Sequence, residues 1–195
     1  LFAVISGAMS NAVSRFITYG IGKGNSDQLN NIFTTSLNVQ ILISVIVLLL
    51  GETLGVWFVN SKMNIPYDRM APANWVLHCS LITFVINLIS VPYNACIIAY
   101  EHMKAYAYIS IIDAILKLGV AFMLVVSPVD KLIAYSILLV IASLGVRLMY
   151  GLYCRSHFPE CRYHFRFDKN LFREMFGFAG WNFFGNATSI LNLQG

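Results

Sequence analysis

Asp113 and Lys117 stand four residues apart in "SIIDAILKLGVAFMLVV" (110–126), a stretch that is otherwise almost wholly apolar. On a helix that spacing is about one turn, so the carboxylate and the ammonium share a face and can bind each other. A charge at the centre of a bilayer costs about 2.5–3.5 kcal/mol on insertion scales. An acid and a base kept in such a segment should therefore face protein or water rather than hydrocarbon. Tyr106 and Ser110 fall on the same helical face, and beyond Lys117 the sequence "LGVAFMLVV" has no polar side chain. In this stripe Lys117 could attract an anion through charge-assisted hydrogen bonds, with Asp113 holding and tuning the ammonium. A purely structural ion pair would leave the same trace in the sequence.

Other segments repeat the pattern. Gly7, Asn11, Ser14, Arg15 and Thr18 share one helical face, and Ser80, Thr83, Asn87, Ser90 and Asn94 form a second stripe. Ser136, Ser143, Arg147 and Tyr150 align, as do Asn182, Asn186 and Ser189. One economical arrangement turns these stripes toward a hydrated, net-basic cavity, with Arg15, Lys117 and Arg147 supplying positive charge and Asp113 offsetting one of them. Asn11, Asn87 and Asn94 would meet the polar groups of a ligand. The competing arrangement is dry packing, because small polar residues at helical spacing also let membrane helices approach closely. Arg15 and Arg147, nearer helix ends, could also snorkel to the interface. Pro92 cannot donate to the Leu88 carbonyl, which marks it as a candidate hinge.

The elements that must position these residues are membrane helices. Of the 195 residues 58% are hydrophobic and 11% charged, against about 25% charged in a soluble domain. About 20 apolar residues span the hydrocarbon core, which predicts an all-α bundle with six spans at 1–21, 35–59, 75–99, 105–127, 132–154 and 174–195. The polar strings "GKGNSDQLN", "NSKMNIPYDRMAP", "EHMK", "SPVDK" and "RSHFPECRYHFRFDKNLFR" separate them as loops. One set of alternate loops holds Lys23, Lys104, Arg155, Arg162, Arg166, Lys169 and Arg173, and the other holds Lys62, Arg69 and Lys131. The positive-inside rule puts the first set in the cytoplasm, with Trp57 and Trp75 at the outer interface. The same bias accounts for most of the net charge of +4, so no nucleic-acid partner is implied. The chain starts and stops inside apolar runs and reads as an internal piece of a longer protein.

Several motifs carry less than they suggest. "GIGKGN" (20–25) follows a helix rather than a strand, so it reads as a turn and not a dinucleotide loop. "CRSHFPECRYH" (154–164) has zinc-ligand types at a spacing unlike the common fingers. It reads as a basic interfacial loop, and no metal or other cofactor is expected. "NAT" (186–188) lies within a span. No Ser-His-Asp or paired-carboxylate arrangement is visible, which argues against an enzyme. His78 reads as a packing or interface residue, and no disulfide framework is expected from Cys79, Cys96, Cys154 and Cys161.

"SNAVSRFITYGIGKGN", "DAILKLGVAFMLVVSPVDKLIAYSILL" and "RLMYGLYCRSHFPECRYHFRFDKNLFREMFGFAGWNFFG" together resemble bacterial oligosaccharide flippases. These are polysaccharide biosynthesis proteins of the MATE-like superfamily, related to O-antigen and lipid II flippases. The resemblance runs over essentially the whole chain and implies part of helix two through part of helix seven of a transporter with twelve to fourteen helices in two lobes. It implies that residues 1–154 belong to an incomplete first lobe, 155–173 to a basic cytoplasmic linker between lobes, and 174–195 to the start of the second. It implies multi-pass residence in the bacterial inner membrane among its lipids. The implied activity is transfer of an undecaprenyl-diphosphate-linked oligosaccharide to the outer face by alternating access, with H+ or Na+ as coupling ion. It implies that Arg15 holds the diphosphate. The same role for Lys117 and Arg147 is inferred from their depth and face. Two rival readings are a cation-coupled multidrug exporter of the same broad fold, which would want an acidic cavity, and a membrane polymerase or acyltransferase.

Overall fold

A computed structural model describes residues 2–24, 26–63, 66–126, 130–161, 163, 168–175, 177 and 181, with backbone alone at 2–9, 67–68 and 125–126. The described residues are almost entirely helical and include no strand. The helices are α1 (Phe2–Gly22), α2 (Ser26–Leu50), α3 (Val56–Ser61), α4 (Tyr67–Ala99), α5 (Met103–Val126) and α6 (Lys131–His157). A π-helical turn, Gly51–Gly55, joins α2 to α3, and a 3-10 turn, Pro159–Cys161, follows α6. Residues 169–175 are helical again.

Four stretches are long and apolar enough to cross a membrane: Ser26–Ser61, Arg69–Ala99, Met103–Leu124 and Lys131–His157. They carry many exposed large apolar side chains, among them Leu49, Leu54, Ile115, Phe122, Ile141 and Leu152. Surfaces of that kind belong in hydrocarbon, and the protein is membrane-embedded. The first expected span is helical as α1, which is not one of the four. The last, 174–195, falls almost wholly outside the described residues.

The expected loops are shorter than the polar strings. Of "GKGNSDQLN" only Lys23 and Gly24 are non-helical among the described residues, because Gly22 closes α1 and Ser26–Asn30 are already helical. Asp27 in the first turn of α2 favours that early start, since a carboxylate there meets the positive end of the helix dipole. Gly24, at φ +65°, takes the left-handed conformation that closes α1, and its N–H donates to the Ile21 carbonyl at 3.0 Å. At the end of α4, Glu101 fills the equivalent left-handed position at φ 57°. The His102 N–H reaches the Ile97 carbonyl and the Glu101 N–H that of Ile98, both at 3.0 Å, completing a Schellman cap. Helix α4 runs unbroken through Pro92, whose side chain is buried.

The chain divides into two compact units. The first comprises Leu1–Ile41, Leu88–Tyr106 and Tyr150–Gly195. Its core is built from one face of α1 (Ala12, Val13, Ile17), the first half of α2 (Ile32, Phe33, Leu37), the end of α4 (Leu88, Ala95, Cys96) and Cys154 of α6. Phe33 meets the Tyr93 ring edge-on at 5.1 Å. The segment after α6 is tied into this unit. The Asn30 side-chain amide donates to the Glu160 carbonyl at 2.8 Å, the Tyr163 hydroxyl donates to Asn38 at 2.9 Å, and Met175 is buried. The second unit comprises Leu42–Asn87 and Ala107–Met149, with Val59, Leu81, Ile109, Val120 and Ala142 in its core.

Candidate functional site

In the first unit, Arg15 and Tyr19 of α1 and Lys23, in the turn just after it, recur every four residues and fall on one side. Val13 and Ile17 take the opposite side into the core. Gly20 lets α2 come close, since a Cβ there would lie 3.1 Å from the Leu29 and Ile32 side chains. Gln28 and Ile32, one turn apart on α2, face the same space. Leu171 and Glu174 close it, giving a pocket of about 420 Å³ lined by these residues and Phe16. That volume is within the range of small-molecule sites, roughly 300–1,000 Å³. Two cations and one carboxylate make the lining net basic. The Lys23 ammonium also sits over the Tyr19 ring, 4.6 Å from its centroid.

In the second unit, Lys117 donates to Asp113 Oδ2 at 2.8 Å, so the two charges on α5 do bind each other. Asp113 lies beside the buried stripe of Ile109 and Val120, and Lys117 is more exposed. Arg147, half-buried, belongs to this unit, whereas Arg15 belongs to the first. The polar stripes divide by helix. On α1, Asn11, Arg15 and Thr18 are exposed, away from the core. On α6, Ser136, Ser143 and Tyr150 are buried, which is what helix packing demands of such residues. On α4, Asn87 is exposed, and half-buried Asn94 has a side-chain oxygen that is buried without a hydrogen bond. Asn182, Asn186 and Ser189 lie outside the described residues.

The chain was compared with family models, curated proteins and solved structures. It matches none of them.

Two sets of residues escaped the sequence reading. Lys23, Tyr19, Gln28 and Glu174 join Arg15 in the basic pocket, and the four-residue beat of Arg15, Tyr19 and Lys23 was the available signal. Glu52, inside an apolar span, pairs with His78 of α4 at 2.8 Å. A carboxylate flanked by "LLLG" and "TLG" was its signal, since ionisable residues within membrane segments are rarely incidental.

Around the 3-10 turn, three buried thiols gather. Cys161 Sγ lies 3.3 Å from Cys96 Sγ, and Cys154 donates to the Tyr93 carbonyl at 3.4 Å. A hydrogen bond with Cys154 pulls the Cys161 pKa down. The hydrogen bond with Cys96, burial, and the charges of Cys96 and Glu160 together outweigh it and hold the thiol well above its ordinary value. Burial, then Glu160, likewise pushes the Tyr100 phenol up. Among the described residues no group of three or more His, Cys, Asp or Glu is placed to hold a metal ion.

Proposed function

We propose that this protein is a transporter, not an enzyme, and that it flips an undecaprenyl-diphosphate-linked oligosaccharide from the inner to the outer face of the bacterial cytoplasmic membrane. On this reading it belongs to the MATE-like oligosaccharide flippases, has six spans in the present stretch, and works by alternating access. The observation that carries the reading is the pocket where Arg15, about two turns before the end of an apolar helix, and Lys23, just past that end, face the same space as Gln28. Such a pocket suits a diphosphate. The two cations supply charge-assisted hydrogen bonds, the amide adds a neutral donor, and Glu174 keeps the net attraction weak enough for release. The pocket is sized for the diphosphate and the first sugar rather than a whole glycan, and the polyprenyl tail would stay in lipid. Lys117, held by Asp113, would be a further cation for the same anionic substrate. A cationic drug would meet repulsion from the same lining, which disfavours the exporter reading.

The test is transport by the complete protein in liposomes loaded with lipid-linked oligosaccharide. Hydrogen bonds to a charged group contribute about 1.5–3 kcal/mol, so Arg15→Ala should slow transport about tenfold or more, with Lys23→Ala weaker in the same direction. Unchanged transport in both variants would sink the basic-pocket mechanism.

A further inference from the structure

The second unit holds an ion pair that the transport reading leaves unused. Glu52 lies in the π-helical turn Gly51–Gly55, inside the first of the four apolar spans. A π turn widens the helix by one residue and tends to occur where function requires it. The widening disturbs the regular backbone bonds, and the Thr53 hydroxyl compensates by donating to the Leu49 carbonyl at 2.7 Å. Glu52 Oε1 thereby comes within 2.8 Å of His78 Nδ1 on α4, in the second span.

The surroundings are graded. Four residues before His78 on α4, the Asn74 amide donates to Asn60 Oδ1 at 3.2 Å. The Asn74 side-chain oxygen is buried and accepts no hydrogen bond, and a buried acceptor of that kind calls for a donor such as water. Polar groups thus lead from the Lys62 end of α3 down to the pair. On the other side the route closes, because a Cβ on Gly51 would collide with the Leu81 side chain. The pair sits about one turn from Trp57 and from Trp75 along their helices, both rings exposed.

We propose that Glu52 and His78 form a proton-binding site, filled and emptied by water from the Lys62 end, and that the bound proton is the coupling ion of transport. The second half of this statement rests on the flippase reading above; the first does not. With one proton between Nδ1 and Oε1 the pair as a whole is neutral, whether written as imidazolium and carboxylate or as imidazole and carboxylic acid. Loss of that proton to water leaves one negative charge in an apolar span, a state the bilayer disfavours. Uptake and release therefore change how the π turn is held against α4. An imidazole nitrogen opposite one carboxylate is a poor cage for Na+, which wants several oxygens, so the chemistry selects the proton. The remaining charged groups on these elements are engaged or distant. Lys62 reaches toward the Trp57 ring, Arg69 pairs with Asp130 at 3.7 Å, and Lys117 pairs with Asp113. Cys79 is buried beside His78, and Asp68 lies ten residues back along α4, about 15 Å at the helical rise.

The experiment has two arms, both on the complete protein. The first counts protons taken up on a step from about pH 8 to about pH 5.5, where an ordinary histidine titrates and an ordinary glutamate stays mostly ionised. Glu52→Gln leaves an imidazole without its counter-charge in an apolar span, so its proton uptake should need a lower pH than in wild type. His78→Asn should lose that proton, the double variant should lose no more than His78→Asn does, and Glu52→Asp should keep the wild-type uptake curve. An uptake curve in Glu52→Gln that overlays wild type, or losses that sum in the double variant, would overturn the site. Melting temperatures of the variants separate lost binding from lost folding. The second arm imposes a proton gradient across liposomes and reads oligosaccharide transport. Glu52→Gln should lose the acceleration that the gradient gives wild type, and an undiminished acceleration would overturn the coupling role. Paired proton loss with no transport of any lipid-linked oligosaccharide would keep the site and reject the flippase reading.

Discussion

Asp113 and Lys117 illustrate how much a single spacing can say. Their contact follows from one turn of helix and nothing else, which is why it was legible in the sequence and is present at 2.8 Å. Removing one partner leaves the other charged in an apolar helix. Lys117→Leu should therefore lower the melting temperature of the purified complete protein by several degrees, and Asp113→Asn added to it should restore most of the loss. If the double variant melts no higher than the single, the pair is not what balances those charges. Glu52 and His78 are 26 residues apart, and their meeting depends on how a π turn packs on α4, so neither residue alone announces the other. Arg15 stood out in the sequence as an arginine in a membrane helix, whereas Lys23 looked like one more cytoplasmic loop charge until α1 extended to Gly22 and carried it to the pocket edge. Cys161 adds a pH dependence in the first unit. Its folded-state pKa lies above that of the unfolded chain, so the folded state keeps a proton that the unfolded state gives up. Stability from this group is complete below about pH 8.5 and falls as pH rises beyond it. Thermal melts at increasing pH should show a decline in that range that Cys161→Ala reduces; a slope unaffected by Cys161→Ala would contradict the assignment.

At the scale of elements, the sequence marks where hydrocarbon begins more faithfully than where helices begin. The apolar run of the second expected span opens at 35, yet the helix opens at Ser26. The nine residues between are polar on balance, but Leu29, Ile32 and Phe33 among them are buried in the first unit, so protein rather than lipid covers them. Hydropathy alone cannot see a helix whose apolar partner is another helix. The π turn was equally invisible, because "GETLG" reads as a weak spot in a helix rather than a widening of it. Its glycines mark the close approach to α4: a Cβ on Gly55 would lie 3.3 Å from the Leu77 side chain, and one on Gly51 would lie closer still to Leu81. Gly51→Ala would force Leu81 to move. Overpacking of this kind costs about 1–3 kcal/mol, and Leu81→Ala in the same chain should recover part of it by making room. A thermal melt of the two variants decides the matter, and a Gly51→Ala protein as stable as wild type would show that the contact is slack. Because the same turn carries Glu52, the destabilised variant should also bind the shared proton less well.

For the whole molecule, the reading that matters most is orientation, because it decides from which side each site is reached. The Ser26–Ser61 stretch has 36 residues, about 54 Å of helix against a hydrocarbon core of about 30 Å. It therefore cannot lie wholly within lipid. Its polar first half is packed in the first unit, and its exposed leucines and Trp57 come later, so the membrane belongs around the later half. If each of the four apolar stretches crosses once, Lys104 and Arg155 fall on one side and Lys62 and Lys131 on the other, and the positive-inside bias predicts that the first side is cytoplasmic. All four side chains are exposed, and the four native cysteines are buried, so single cysteines placed at these positions can be read against a low background. In intact cells a membrane-impermeant maleimide should label Lys62→Cys and Lys131→Cys, and should label Lys104→Cys and Arg155→Cys only after the membrane is opened. The reverse pattern would invert the molecule. Each proposed site would then be reached from the opposite side, so both proposals would have to run in the opposite direction. Labelling of one member of a pair but not the other would instead break the alternation, and with it the assignment of each apolar stretch to a single crossing.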